Sequence, residues 1–321
     1  MEKIVISVVT WNSANTISDC LKSVLSQTYS NFILFVVDNN SSDNTIKIVE
    51  SFDDPRLIFE KKKENTGFCG GHNYTIRNSS SEYVLLVNPD VILSSNYVEN
   101  ALRVAGSDAR IGTVCGLLLQ NNDFSSDDNL IDSAGMDIQR SRVLTMRFHN
   151  KKKGESDLKQ ELVFGADGAL PLYRRELIDD ISYRGEFFDE LFFAHKEDWD
   201  VSWRANVFGW KTIFSPNCIA IHPRHFKPSS LRVRRSISSE IKVHSVKNQL
   251  ILLLKNEKLS TFLTNCIFIL PRQFFIFFYI LIFEQSSLRA YKIVVQNLPL
   301  IFRKRRIIQG KKIPKETNFE R

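Results

Sequence analysis

The sequence predicts an α/β fold in which helices flank a mostly parallel sheet, followed by a basic, apolar helical tail. Two observations predict the sheet: β-rich apolar segments alternate with amphipathic helical segments over the first 120 residues, and the links between them are short. A third observation sets the tail apart. Residues 223–321 hold 20 Lys and Arg but only 5 Asp and Glu, a balance of +15, whereas residues 1–222 carry a balance of −8. The two parts therefore face different surroundings.

Apolar runs rich in Val, Ile, Leu and Phe predict strands, which cover residues 3–11, 32–38, 83–88 and 111–119. Amphipathic helices are predicted between them at residues 15–27 and 39–52, the second with Ser42 or Asp43 as its cap. Strands connected in this order run parallel, and ligands bind where their carboxyl ends meet. We therefore expect the functional site at that edge of the sheet.

Polar residues close three of the predicted strands: Thr10-Trp11-Asn12, Asp38-Asn39-Asn40 and Asn88-Pro89-Asp90. Asp38 is placed to accept hydrogen bonds from a base or a ribose hydroxyl. Asp90 is suited to Mg²⁺ or Mn²⁺, hard cations that prefer carboxylate oxygens and retain places for phosphates. One such Asp is often only a cap or turn former. Three polar strand ends together indicate a site for a polar ligand and a divalent cation.

A glycine-rich segment, "ENTGFCGGHN" at residues 64–73, lies between the second and third of these strand ends. Glycine lets the backbone approach a ligand closely. The segment lacks the GxGxxG spacing of a dinucleotide site and, taken alone, is also compatible with a simple chain turn.

These segments together carry a family resemblance. "VVTWNS", "VVDNNSSD", "ENTGFCGGHN" and "YVLLVNPDV" resemble the nucleotide-binding half of family 2 inverting glycosyltransferases with the GT-A fold, in the branch that includes bacterial rhamnosyltransferases. The likeness continues through "VFGADGALPLYRREL" and "FFDELFFAHKEDWDVSWRANVFGWK" to about His222. It covers roughly two thirds of the chain.

The resemblance implies a nucleotide-sugar donor and a divalent metal, Mg²⁺ or Mn²⁺. Asn88-Pro89-Asp90 stands at the family's DXD position, with Asn88 in place of the first Asp, so Asp90 is the expected metal ligand and His222 a second contact to metal or diphosphate. A buried, hydrogen-bonded histidine is the alternative for His222. The residues expected to bind the donor nucleotide are Thr10, Trp11, Asn12, Asp38, Asn40, Asn65, Gly67, Gly71, Asn73 and Asn88.

The resemblance also assigns the chemistry to "HKEDWDVSWRANVFGWK". Transfer to a hydroxyl with inversion needs a general base, and the "ED" pair implies Asp198 as that base, with Glu197 orienting it or the acceptor. Carboxylates in the first turn of a helix commonly complement the helix dipole. That reading suits Asp200, which with Arg204 is expected to make structural contacts within the helix.

Two neighbouring segments receive weaker roles. Gly165, Ala166 and Asp167 match the family's segment near the acceptor and the donor sugar, and Asp167 is suited to a sugar hydroxyl. Arg224, His225 and Lys227 lie on a loop suited to closing over a diphosphate, or simply solvated. The acidic residues 123–135 are interpreted as a surface loop that leads into a β-hairpin and has no chemical role.

The tail contains residues 259–283, of which 18 of 25 are apolar, with Asn265 and Pro271-Arg272-Gln273 interrupting the run. Each of the two resulting runs is shorter than the ~20 residues that cross a bilayer. The basic cluster at residues 302–306 and Lys311-Lys312 suits anionic lipid head groups. We therefore expect helices lying on the inner face of a membrane. A helical hairpin packed on the catalytic domain or on a second subunit, and a true span, are the alternatives.

The expected function is transfer of a sugar, L-rhamnose from dTDP-rhamnose in the first instance, to a polyprenyl-diphosphate-linked saccharide during bacterial surface polysaccharide assembly. UDP- or GDP-sugars are alternative donors. A nucleotidyltransferase would carry basic residues after its first strand, where this chain has "TWNSANT", and a membrane scaffold or carbohydrate-binding module would not need Asp90 and Asp198. Phe- and Leu-rich runs beside the basic residues favour lipid over nucleic acid.

The predicted organisation has three parts: residues 1–120 bind the nucleotide sugar, residues 121–235 supply the acceptor and catalytic half, and residues 236–321 form the tail. The five cysteines are widely spaced and are expected to be reduced, as in a protein facing the cytoplasm. The N-terminal apolar run is too short for a signal peptide. The expected location is the cytoplasmic face of the plasma membrane, and the apolar tail also suits a homo-oligomer.

Overall fold

A computed structural model describes residues 3–223, 234 and 236–311. Its centre is a ten-stranded mixed sheet with helices on both faces, which confirms the predicted fold class. The sheet begins with four parallel strands separated by helices. In chain order, these strands and helices are β1 (Ile4–Thr10), α1 (Ile17–Leu25), β2 (Phe32–Asp38), α2 (Thr45–Glu50), β3 (Leu57–Lys61), α3 (Gly67–Arg77) and β4 (Tyr83–Val87). The predicted strands and helices of this half are confirmed.

The second half of the catalytic region extends the same sheet. Its elements are β5 (Ile92–Leu93), α4 (Tyr97–Gly106), β6 (Ile111–Leu119), β7 (Ile131–Ser133), β8 (Met136–Ile138), β9 (Leu144–Met146), β10 (Glu161–Val163), β11 (Leu172–Arg174), α5 (Arg175–Ile181), α6 (Glu197–Val207) and β12 (Lys211–Ile221). Strands run in the order β10-β12-β6-β11-β4-β1-β2-β3, with β11 antiparallel to both neighbours. The β8–β9 pair is the hairpin predicted after the acidic loop.

The alternation of side chains along β1 explains the layers. Ile4, Ile6 and Val8 pack into a core with α1 and α4, whereas Val5 packs on the opposite face with residues of α3, α5 and α6. The parallel register runs from Ile4 opposite Phe32 to Thr10 opposite Asp38. The carboxyl ends of β1 and β2 therefore meet at one edge of the sheet, as the sequence predicts.

Three long helices follow the catalytic region: α7 (Ser239–Asn256), α8 (Leu259–Phe283) and α9 (Arg289–Gly310). The predicted interruption of the apolar segment is wrong, because α8 continues through Pro271 without a break. At 25 residues α8 is long and apolar enough to cross a bilayer, judged by length and composition, and little of it is buried. Its large exposed apolar side chains are Leu259, Leu263, Ile267, Phe268, Leu270, Phe274, Phe275, Phe277, Phe278, Leu281, Ile282 and Phe283.

The helices α7 and α9, by contrast, pack on the catalytic region. Ile251 of α7 and Ile301 and Ile308 of α9 are buried in the core that contains Val201 of α6. Packing of the tail on the catalytic region, one of the expected arrangements, is thus seen for α7 and α9, whereas α8 leaves an apolar surface uncovered.

A buried set of ion pairs fastens this support to α6. Lys255 of α7 lies 2.5 Å from Asp189 and 2.9 Å from Asp200 of α6. Lys304 of α9 lies 2.8 Å from the same Asp189. Arg204 lies 2.9 Å from Asp200, so the contact predicted within the helix is confirmed. Burial by itself would raise the pKa of Asp189, but Lys255 and Lys304 hold it below its ordinary value.

The structure corrects the prediction for one residue of the basic cluster. Lys304 is buried in this set of ion pairs and is not available to lipid head groups. Its neighbours Arg303 and Arg306 are exposed. Lys311 pairs with Asp180 of α5, and Lys312 lies outside the described residues.

Substitution of Lys304 by Met should destabilise the protein, because it leaves Asp189 with one buried cation fewer. We expect a loss of about 3–5 kcal/mol in the free energy of unfolding, measured by urea denaturation. The matched control is Lys292→Met, because Lys292 is an exposed lysine of the same helix and its loss should cost less than about 0.5 kcal/mol. Equal effects of both substitutions would contradict a stabilising role for the ion pairs.

Candidate active site

A cleft of about 1050 Å³ opens at the carboxyl ends of β1, β2 and β4. Seven of the residues predicted for the donor and the metal line it: Thr10, Trp11, Asn12, Asn65, Gly67, Asn88 and Asp90. Trp11 is 57% exposed, an unusual state for the largest apolar side chain. An exposed indole at the mouth of a polar cleft is suited to stacking on a flat ring.

Asp38 holds the edge of the cleft together and does not face it. The side chain is fully buried and accepts hydrogen bonds from Thr10 Oγ1 (2.9 Å), Ser41 N (2.8 Å) and Ser41 Oγ (2.6 Å). The expected contact between Asp38 and a base or ribose stays a prediction. Its neighbour Asn39 lines the cleft, and Asn40 is exposed outside the lining, with a φ of 63°.

The glycine-rich segment is the start of α3, and its members differ in role. Gly67 has a φ of +72°, and a Cβ there would lie 2.4 Å from the carbonyl oxygen of Phe193. Gly71 packs against Val9 of β1, where a Cβ would lie 2.7 Å from that side chain. Asn73 is fully buried and exchanges hydrogen bonds of 2.8 and 2.9 Å with the backbone of Phe188. Gly71 and Asn73 are therefore not among the residues that line the cleft, and their contact with the donor nucleotide stays a prediction.

Asp90 projects from a tight turn. The N–H of Val91 donates to the carbonyl of Asn88 at 3.1 Å, so Pro89 and Asp90 occupy the two central positions, where proline fixes the backbone. Strand β5 then pairs with the end of β12, Ile92 opposite Ile221. This register brings His222, the residue after β12, beside the turn. Its Nε2 lies 3.6 Å from Asp90 Oδ1, so the predicted pair is brought together.

Asp132 orients His222 and was not foreseen, because the acidic segment 123–135 was given no chemical role. Asp132 lies on β7, is fully buried, and its Oδ2 is 2.8 Å from His222 Nδ1. A carboxylate only accepts hydrogen bonds, so Nδ1 carries a proton, and in the neutral ring Nε2 presents a lone pair toward Asp90. Burial would lower the pKa of His222, but Asp132, Asp167 and Asp90 outweigh it and raise the pKa.

The pair of Asp90 and His222, supported by Asp132, fits a divalent cation. A second carboxylate that fixes the ligand histidine is the usual outer support of a metal-binding imidazole. Among the described residues no group of three or more His, Cys, Asp or Glu side chains forms a complete cage. Mg²⁺ and Mn²⁺ sites that act on phosphates need only one or two protein ligands, because the substrate and water supply the others.

The two catalytic candidates begin α6, immediately after Ala194 and His195 of the cleft lining. Asp198 Oδ1 accepts from its neighbour Trp199 N at 2.9 Å, and Oδ2 accepts from Gly168 N at 3.2 Å. Both bonds and the helix N-terminus stabilise the carboxylate form. Glu197 differs: burial, and then the charge of Asp198, raise its pKa well above the ordinary value. Burial and the charge of Asp198 thus disfavour a charge on Glu197, whereas the hydrogen bonds of Asp198 favour its carboxylate form.

The segment predicted near the sugars packs against these carboxylates. Asp167 is buried, its Oδ1 accepts from Ala169 N at 2.8 Å, and its charge acts on both Glu197 and His222. Gly165 allows close contact with α6, because a Cβ would lie 2.3 Å from Ser202 Oγ. Ala166 is buried in the core. Asp167 thus lies near both Glu197 and His222. Gly165 and Ala166 take part in the packing behind them.

The loop before α6 is strained and is held by the tail. Phe193, His195 and Lys196 all have φ near 65–71°, a conformation that costs non-glycine residues energy. Asn248 of α7 donates to the carbonyls of Ala194 (2.8 Å) and His195 (2.6 Å). Sequence reasoning missed Asn248, because no local pattern relates it to a loop more than 50 residues away.

The first turn of α7 also lines the cleft, with Ser238, Glu240, Ile241 and His244. The ring of His244 stacks on Phe193 with the ring centres 5.1 Å apart. These residues were assigned to the tail, and their part in the cleft was not predicted. Arg224, His225 and Lys227, expected to close over the diphosphate, lie outside the described residues.

A mostly parallel sheet flanked by helices, with a cleft at the carboxyl ends of its strands, is a fold of the GT-A type. The chain belongs to glycosyltransferase family 2: the profile "Glycosyl transferase family 2" matches residues 5–182. Among solved structures, the mannosyltransferase PcManGT from Pyrobaculum calidifontis, in complex with GDP-Man and Mn²⁺, superposes with a TM-score of 0.53 at 15% identity. The match covers 92% of this chain and 75% of that one.

Curated relatives match parts of the chain. The Escherichia coli protein WfgD, a UDP-Glc:α-D-GlcNAc-diphosphoundecaprenol β-1,3-glucosyltransferase, is 33% identical over 101 residues, which are 31% of this chain and 40% of WfgD. Poly-β-1,6-N-acetyl-D-glucosamine synthase of Staphylococcus aureus is 22% identical over 221 residues, 67% of this chain and 48% of the synthase. The chain spans less than half the length of either. Neither name refers to rhamnose, so the rhamnosyltransferase branch stays a prediction.

Substitution of Asp132 by Ala should weaken Mn²⁺ binding, because His222 loses the partner that fixes its protonated nitrogen. We expect a loss of about 10- to 100-fold in affinity, measured by Mn²⁺ titration followed by electron paramagnetic resonance. Asp128→Ala is the matched control, since Asp128 belongs to the same acidic segment but is 85% exposed. Unchanged affinity in the Asp132 variant would contradict the assigned role of Asp132.

Proposed function

We propose that this chain is an inverting glycosyltransferase that moves a sugar from a nucleoside diphosphate to a hydroxyl of a lipid-linked saccharide. The observation that carries the proposal is the nearness of two features, since the charge of Asp167 acts on both His222 and Glu197. Asp90 and His222 form a corner suited to a metal-bound diphosphate, and Asp198 is held as a carboxylate at the head of α6. The GDP-Man and Mn²⁺ of the mannosyltransferase complex support a nucleotide-sugar donor and a divalent metal.

The residues of the chain divide the reaction between them. Asn39, Asn65 and the exposed ring of Trp11 are placed to hold the nucleoside. Mg²⁺ or Mn²⁺, held by Asp90 and His222, would offset the charge that develops on the leaving diphosphate. Asp198 accepts the proton of the acceptor hydroxyl. At the same time the oxygen of that hydroxyl bonds to the anomeric carbon, and the bond from this carbon to the phosphate oxygen breaks. Glu197, as the neutral acid, is placed to donate a hydrogen bond near the same oxygen.

The donor and the acceptor carry different support. L-Rhamnose from dTDP-rhamnose is the donor that the sequence resemblance suggests. A UDP-hexose is the second candidate, supported by the UDP-Glc in the name of WfgD. That name also supports a polyprenyl-diphosphate-linked acceptor. Both relatives carry names that fit polysaccharide assembly.

The exposed surface of α8 supports a peripheral position on the cytoplasmic face of the plasma membrane. The middle of α8, at Arg272 and Gln273, shares a cavity with Lys196 at the head of α6. In a membrane-crossing helix the middle lies roughly 15 Å deep in hydrocarbon. The head of the catalytic helix would then have to lie at that depth, so α8 is better placed along the surface with its phenylalanines in the lipid. A homo-oligomer that covers the same face is the competing arrangement.

We also assign a function to each of the three parts of the chain. Residues 1–120 supply Trp11, Asn65 and Asp90 to the cleft. Residues 121–235 supply His222 beside Asp90, Asp132 as the partner of His222, and Asp198 at the head of α6. The tail from residue 236 supports the loop before α6 and carries the membrane-facing helix.

Substitution of Asp198 by Asn should reduce turnover about 10²- to 10⁴-fold without loss of donor binding, because the amide cannot accept the proton. Release of nucleoside diphosphate would be followed with dTDP-rhamnose and a set of UDP- and GDP-sugars, Mn²⁺ or Mg²⁺, and a lipid-linked acceptor. Glu197→Gln, which mimics the neutral acid, should retain more activity than Asp198→Asn. Asp179→Asn, an exposed acid on α5, is the control.

The reverse order, with near-normal turnover in Asp198→Asn and loss in Glu197→Gln, would show that the base is Glu197. Absence of nucleotide release from every donor would contradict the transferase itself.

A further inference from the structure

A second cavity of about 210 Å³ lies between α7, α8 and the residue that precedes α6. Three cationic side chains line it: Lys196, Arg234 and Arg272. No Asp or Glu is among the described residues that line it. The remaining wall is mixed, with Gln249, Gln273 and Tyr279 beside Phe275 and Ile276. The cavity is therefore a strongly cationic pocket with an apolar side.

The cations of this pocket are incompletely compensated. The guanidinium of Arg234 donates two hydrogen bonds, of 2.8 and 2.7 Å, to the carboxylate of Glu284. Within the described part of the chain, Lys196 donates to two neutral acceptors, the carbonyl of Ser245 at 3.0 Å and Gln249 Oε1 at 2.9 Å. Arg272 Nη1 and Gln273 Nε2 are buried without a hydrogen-bond partner. Buried donors without acceptors are costly unless a ligand satisfies them.

The electrostatics agree with this geometry. Burial, and then the nearby Arg272 and Arg234, lower the pKa of Lys196 to about 7. A negative group in the pocket would favour the charged form of Lys196 and accept hydrogen bonds from Arg272. A diphosphate offers several acceptor oxygens and at least two negative charges, which suits Lys196 and the unpaired donors of Arg272 and Gln273.

The position of the pocket restricts the source of such a diphosphate. The donor's diphosphate belongs at Asp90, on the other cleft. Lys196 precedes Glu197 and Asp198, so the cationic pocket adjoins the catalytic pair. On its other side runs the exposed apolar surface of α8, including Phe274, Phe275 and Phe278. An anionic group bound in this pocket would thus lie between the catalytic pair, where the acceptor hydroxyl reacts, and the apolar surface of α8.

We propose that this pocket binds the diphosphate of the lipid-linked acceptor, with the isoprenoid chain lying along α8 and the saccharide reaching toward Asp198. The proposal rests on the proposed function, since it assigns the acceptor's anchoring group to that same active site. It gives α8 a role beyond attachment to the membrane, because the helix supplies Arg272 to the acceptor.

The test uses the full chain in phosphatidylcholine nanodiscs and compares Arg272→Gln with the wild type. The KM for an undecaprenyl-diphosphate-linked acceptor should rise about 10- to 100-fold, as expected for the loss of a charged hydrogen bond, with kcat changed far less. Arg272→Lys, which keeps the charge, should recover part of the loss. Arg103→Gln is the matched control, because Arg103 is an exposed arginine of α4 that lines neither cavity.

Direct binding separates failure of the pocket from failure of the transferase. Undecaprenyl diphosphate in nanodiscs should bind the wild type more tightly than Arg272→Gln. Inorganic pyrophosphate, and nanodiscs with added phosphatidylglycerol, should show a smaller difference between the two proteins. An active wild type with an unchanged KM and unchanged lipid-diphosphate binding in Arg272→Gln would overturn the pocket alone. A wild type that binds the lipid diphosphate but transfers no sugar would overturn the proposed function and not the pocket.

A loss of affinity for phosphatidylglycerol equal to the loss for undecaprenyl diphosphate would also overturn the proposal, since the pocket would then be a general site for anionic lipid. Thermal unfolding of each variant identifies any loss of fold. If Arg272→Gln proves unstable, Gln273→Leu, which removes the other unpaired donor, takes its place with the same expected direction.

Discussion

The structure depends on a buried set of charges that holds the catalytic helix between the sheet and the tail. Asp200, in the first turn of α6, is bound by Arg204 of its own helix and by Lys255 of α7, and Asp189 is bound by Lys255 and Lys304. Removal of one partner from such a group leaves an uncompensated charge in a dry interior. The tail therefore cannot leave the catalytic region without a large cost. Since Asp198 lies only two residues from Asp200, the same contacts fix the position of the carboxylate assigned as base.

This support explains how the site can hold unfavourable local states. The loop at residues 193–196 keeps its left-handed conformations because Asn248 donates hydrogen bonds to its carbonyl groups. The carboxyl group of Glu197 is buried beside another carboxylate, that of Asp198. Both states cost free energy, and both lie where the acceptor must meet the donor. The opposite corner is built differently. There the register of β5 with β12 and of β6 with β7 brings Asp90, His222 and Asp132 together from segments distant in sequence.

Most of the sheet was predictable, because period and composition identify β1, β2, β4 and β6, and the polar residues that follow them mark the cleft. The roles of individual residues were less so. Asp38 and Asn73 have side chains suited to binding a ligand, but in the structure these side chains form hydrogen bonds with other residues of the protein. Asp132, Asn248 and Lys304 act through contacts across 50 residues or more, which no local pattern records. The apolar segment was interpreted as two short runs divided at Pro271, but the loss of one backbone hydrogen bond did not prevent α8 from continuing over 25 residues.

The central claim is that one ionised carboxylate, Asp198, activates the acceptor for a single displacement at the anomeric carbon. The anomeric configuration of the product tests this most directly. It is measured by nuclear magnetic resonance of the saccharide released after transfer from a donor of known configuration. A configuration opposite to that of the donor is the predicted result. Retention would contradict it, since it would require two successive displacements or a different face of attack.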